Sequence, residues 1–107
     1  MKHVTYGDKS LLIDDDAADW LMEYARALGS AHLTDTVTLR AIGVDGNEVS
    51  ATFLLNAGTE LMTESASTTA QAPPNDEIVG YMQERTRLIL TPPQGQPLPA
   101  PTEIPRL

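Results

Sequence analysis

The chain has 107 residues, with Asp+Glu 15 against Lys+Arg 7, a net charge of −8 and no cysteine. That length suits a single domain, and 41% hydrophobic with 21% charged residues is ordinary globular composition, so fibrous and wholly disordered classes are excluded. Without cysteine there is no disulfide framework, thiolate metal site or thiol nucleophile, and a reducing compartment, the cytoplasm, is the default.

Two short runs of strand character, Lys2 to Tyr6 and Lys9 to Ile13, flank Gly7-Asp8. A two-residue Gly-Asp loop suits a tight hairpin, which sets Val4 opposite Leu11 and leaves Leu12 on the other face. Beyond it, Ala17, Trp20, Leu21, Tyr24, Ala25 and Leu28 recur at helical spacing, with Asp16, Asp19, Glu23 and Arg26 on the opposite side. The aspartates Asp14, Asp15 and Asp16 suit the helix start, and Gly29 is expected to supply the left-handed stop.

From Asp35 the period becomes two. Val37, Leu39 and Ala41 alternate with polar residues, as do Val49, Ala51, Phe53 and Leu55 after Asp45-Gly46. A two-residue loop would scramble the faces, whereas a three-residue loop Val44-Asp45-Gly46 sets Leu39 opposite Ala51 and Val37 opposite Phe53. Thr59 to Ser65 reads as a weaker strand that brings Leu61 beside Phe53. Residues 65–74 read as a loop, followed by a second helix over Glu77 to Leu90 that Asn75 or Asp76 would cap. Six of the eight prolines fall after residue 91, so 92–107 reads as an extended or disordered tail and 1–91 as the single domain.

The resulting order β-β-α-β-β-β-α gives an α+β fold, an antiparallel meander of four to five strands with two helices packed on one face. Thr36, Thr38, Arg40, Glu48, Ser50, Thr52, Glu60 and Glu64 fall on the opposite face, which is either solvated or meets its copy in a dimer.

No motif announces chemistry. The cluster Asp14, Asp15, Asp16, with Asp19 and Asp8 near it, has the oxygen ligands a hard cation wants, but helix capping explains the same residues, so no metal and no cofactor are assigned. His3 and His32 lack a supporting carboxylate or second histidine at a readable spacing. No G-x-S-x-G elbow, S-x-x-K pair or phosphate-binding glycine loop is present, and enzyme activity is not expected. Arg85 and Arg87 read as a solvated helix face. The larger apolar side chains Trp20, Met22, Tyr24, Met62, Tyr81 and Met82 form either core or the lining of a pocket or subunit contact.

Eight surplus negative charges and the scattered Lys2, Lys9, Arg26, Arg40, Arg85, Arg87 and Arg106 disfavour nucleic acid and anionic membranes. No apolar run nears the roughly 18 residues of a membrane span, and Met1 to Tyr6 is expected not to be a signal peptide. The expected function is a non-catalytic protein-interaction or regulatory module of bacterial, cytoplasmic type, acting through a protein partner or as a homodimer, because strand edges need covering. The alternative is a small-molecule-binding domain or minor enzyme with a pocket between helices and sheet under the 65–75 loop.

Overall fold

The computed structural model describes residues 1–68 and 70–91; the expected proline-rich tail, 92–107, lies outside the described residues. Strands β1 (Lys2–Tyr6) and β2 (Lys9–Ile13) form the expected hairpin, with Gly7 at φ +62° in the turn and Val4 paired with Leu11. Helix α1 (Asp15–Ala31) begins where Asp14 Oδ1 accepts the Ala17 N–H at 2.9 Å, and Asp15 and Asp16 lie in its positively polarised first turn.

Gly29 does not end this helix. It lies within the last turn, which continues to Ala31 and closes with His32 in the left-handed region at φ +57°. The His32 N–H donates to the Gly29 carbonyl and the Leu33 N–H to the Leu28 carbonyl, the paired bonds of a Schellman stop. The later stop lets Leu33 pack against the core, and Gly29 passes the β4–β5 turn, where a Cβ would stand 3.6 Å from the Ala57 Cα.

Strands β3 (Asp35–Ile42) and β4 (Glu48–Leu55) pair in the predicted register, Leu39 opposite Ala51 and Val37 opposite Phe53. Gly43 and Asn47 close the three-residue loop, with Gly46 at φ +86°. The polar alternates Thr36, Thr38, Arg40, Glu48, Ser50 and Thr52 are all exposed.

Strand β5 (Leu61–Ser65) departs from expectation. It pairs with β1, placing Leu61 opposite Tyr6 rather than beside Phe53, and the sheet runs β4-β3-β2-β1-β5. Opposite edges of a flat five-stranded sheet lie about 19 Å apart, which a five-residue link spans only when fully extended; this link instead turns, with the Thr59 N–H on the Asn56 carbonyl, so the sheet must coil. Two contacts show that it does. The Tyr6 hydroxyl donates to the Leu54 carbonyl at 2.7 Å, and the Tyr6 and Phe53 rings meet edge to face with centroids 5.5 Å apart. The coil follows from β2 and β3 sharing a single paired position, Leu12 with Ile42, beyond which the β3–β4 ribbon turns away. The link itself is fixed by Asn56, whose Oδ1 accepts the Gly58 N–H at 2.8 Å.

Helix α2 (Asp76–Leu90) packs beside α1 on the inner face of the sheet, completing an α+β fold with both helices on one side. Its core consists of Val4 and Ile13 from the hairpin, Leu39 and Leu55 from the ribbon, Leu21 and Leu28 from α1 and Met82 from α2, all fully buried. Burying each such aliphatic side chain contributes about 1.5–3 kcal/mol.

Candidate functional site

Asp35 sits in phase with Val37, Leu39 and Ala41 on the inward face of β3, and the residue is 2% exposed. Oδ2 accepts the Tyr24 hydroxyl at 2.5 Å and the Tyr81 hydroxyl at 2.7 Å, and Oδ1 accepts the Thr36 N–H at 2.8 Å. Burial, with the hydrogen bond to Asp35 next, pushes the Tyr81 phenol up to about 12 and raises Tyr24 further. One carboxylate thus ties β3, α1 and α2 together. With Asp35 and Tyr24 closed to solvent, the cluster is a structural joint.

The aspartates at the start of α1 are divided among separate partners. Asp14 uses one oxygen as the helix cap and the other to accept the Asn75 side-chain amide at 2.9 Å. Asp15 pairs with the N-terminal ammonium at 3.2 Å and Asp19 with Lys2 at 2.5 Å. Among the described residues no group of three or more carboxylate or imidazole side chains is arranged to hold a metal ion. Asn75 occupies the N-cap position of α2 but makes no side-chain cap bond. Its amide instead mimics a neighbouring strand: Oδ1 accepts the Arg40 N–H at 2.7 Å and Nδ2 donates to the Arg40 carbonyl at 3.0 Å. It therefore fills the place alongside β3 that β2 has vacated.

The side chains singled out in the sequence do not converge. Tyr24 and Met82 are fully buried, Tyr81 and Trp20 pack partly buried against the core, and Met62 is half exposed on the outer face of β5. Met22 lines a shallow hollow between α1 and the β4–β5 turn. Arg85 is not on a solvated face. It shares the buried side of α2 with Tyr81, Met82 and Ile89, is 7% exposed, and leaves Nε and Nη2 without a hydrogen-bond partner. Arg87 is exposed and pairs with Glu84. A hollow does lie by the 65–75 loop, about 420 Å³, but acidic Asp14, Asp15 and Asp16 line it beside residues 70–72.

A larger space lies elsewhere. Where the sheet coils, the inner faces of the β1–β2 hairpin and β4 diverge beyond the reach of the helices and leave a groove of about 470 Å³. Tyr6, Leu11, Val49, Ala51 and Phe53 form its walls, and Lys9 and Asp45 stand at its rim. The alternation predicted from the sequence placed these residues on the inner face, but only the coil, which the sequence pattern does not encode, opens the space between them.

The outer edge of β4 is the second exposed feature. Leu54 directs its carbonyl to Tyr6, away from β3, and Arg40, on the same alternation in β3, turns its N–H and C=O to Asn75, away from β4. Antiparallel pairing alternates with period two, so Glu48, Ser50 and Thr52 likewise turn their backbone groups outward, where among the described residues β4 has no neighbouring strand. The stretch Val49–Phe53 carries no charge and no proline. The opposite edge, β5, is only five residues long and includes Glu64. No described helix is long and apolar enough to cross a membrane. Neither a family model, nor a curated protein, nor a solved structure matches the chain.

Proposed function

We propose that the chain is a non-catalytic protein-interaction module that acts as a homodimer through antiparallel pairing of β4 with β4 of a second copy. The unprotected edge of β4 carries this reading. Soluble proteins shield long edges with charge, proline, bulges or brevity, and β4 has none of these between Val49 and Phe53. Centring the pair on Ser50 gives about six new backbone hydrogen bonds. It sets Val49 against Ala51 of the partner subunit on the inner face. On the outer face it sets Glu48 against Thr52 of the partner subunit, so no like charges meet. The two coiled sheets then form one continuous sheet. The cysteine-free sequence supports cytoplasmic residence as part of the same proposal.

Sedimentation equilibrium tests this. The chain should approach twice its 11.6 kDa mass at micromolar concentration. Ser50→Pro removes only an outward N–H and Ser50→Lys sets like charges at the two-fold axis, so both should sediment as folded monomers. A wild-type monomer across that range, or dimers of undiminished affinity in both variants, would contradict it.

A further inference from the structure

The groove between the β1–β2 hairpin and β4 borders the β4 edge, since Val49, Ala51 and Phe53 line it, but it stands on different observations, its volume and the chemistry of its side chains. Its volume of about 470 Å³ falls within the range of small-molecule sites, roughly 300–1,000 Å³. Its walls are apolar and aromatic, from Tyr6, Leu11, Val49, Ala51 and Phe53, with Val44 at the mouth 94% exposed. The charge at its rim is uneven. Asp45 is engaged within its own turn, its carboxylate accepting the Asn47 N–H at 3.1 Å and the Asn47 side-chain amide at 3.0 Å, which holds it below the usual carboxylate range. Lys9 has no ion pair among the described residues, although Lys2, Arg26, Arg40 and Arg87 each pair with an acidic neighbour in this acid-rich chain.

We infer that the groove binds a small apolar monocarboxylate, its hydrocarbon body against the Tyr6 and Phe53 rings and the β4 side chains and its carboxylate on the Lys9 ammonium. The apolar walls supply the affinity by removing hydrocarbon surface from water, and the exposed Lys9 ammonium, without an ion pair among the described residues, selects an anion over a neutral molecule of the same shape. The protein's overall negative charge repels anions at a distance, so selection depends on contact with Lys9 and weakens as salt rises.

Isothermal titration of the full chain with octanoate, and with 1-octanol as the neutral counterpart, tests the assignment. Octanoate should bind saturably, one per chain. Lys9→Gln should weaken octanoate roughly three- to tenfold, the scale of one charge-assisted contact, while leaving 1-octanol unchanged. Ala51→Phe and Val49→Trp should each fill the groove and abolish binding of both probes, with unchanged circular dichroism confirming the fold. Val49 is 37% exposed, so its replacement keeps the test available if Ala51→Phe does not fold. No saturable octanoate binding to the wild type, binding undiminished in a folded groove-filling variant, or equal loss of both probes in Lys9→Gln would overturn the assignment.

Discussion

Asn75 and Asp35 each do the work of several residues. Asn75 satisfies both backbone groups of Arg40 and one oxygen of Asp14 from a position that is 7% exposed. Asn75→Ala strands all three, and a buried polar group left unpaired costs about 1–3 kcal/mol. The expected loss is about 2–4 kcal/mol once partial hydration is allowed for, read from the shift of the urea midpoint. Asp35 sets a pH dependence through its two phenols. Both tyrosines ionise later in the folded chain than in the unfolded one, so their contribution is complete below the unfolded value of about 10 and is lost as pH climbs through the higher folded values. Stability should therefore fall from about pH 10 upward, and Tyr24→Phe should flatten that alkaline slope when urea midpoints are compared. An unchanged slope would count against the joint. Asp35 was missed in the sequence, although its place in the alternation 35, 37, 39, 41 was the signal that would have put a carboxylate inward. Asn75 carried no such signal, because its partners Asp14 and Arg40 are 61 and 35 residues away along the chain.

Among the elements, both hairpins, both helices and the β3–β4 register follow from local rules of period and turn chemistry. The pairing of β5 with β1 escaped those rules, and so did two residues. Gly29 carried the local signature of a helix stop, but the helix runs on to Ala31 and turns at a left-handed His32, so that Leu33 just beyond the stop packs against the core. Arg85 looked like a surface cation because arginines are seldom buried, yet it lies on the same side of α2 as the buried Met82 and Ile89. Gly80 is the weak point of α2. Among the described residues a Cβ there meets nothing within 4 Å, so Gly80→Ala should gain about 0.8–1 kcal/mol of helix propensity without a clash. The melting temperature should rise by about 4–8 °C, and a fall would mean that the glycine serves a contact made only in an assembly.

At the scale of the molecule, the coil of the sheet decides which surfaces are open. It lets β5 reach β1 through a short link, sets Tyr6 on Phe53, opens the groove and leaves β4 as a long outer edge. The composition expresses only part of this. The expectation of exposed strand edges came from element order alone, while the identity of the edge that stays uncovered depends on strand pairings distant in sequence. The same coil sets the two candidate surfaces side by side on β4, the groove over its inner side chains and the pairing groups along its outward backbone. Residue-resolved amide hydrogen exchange across a dilution series tests the central claim, pairing through β4, most directly. The Ser50 and Thr52 amides should gain protection as concentration rises, while those of Val49 and Ala51, already bonded to β3, stay protected throughout. Fast, concentration-independent exchange at Ser50 and Thr52 would contradict the account.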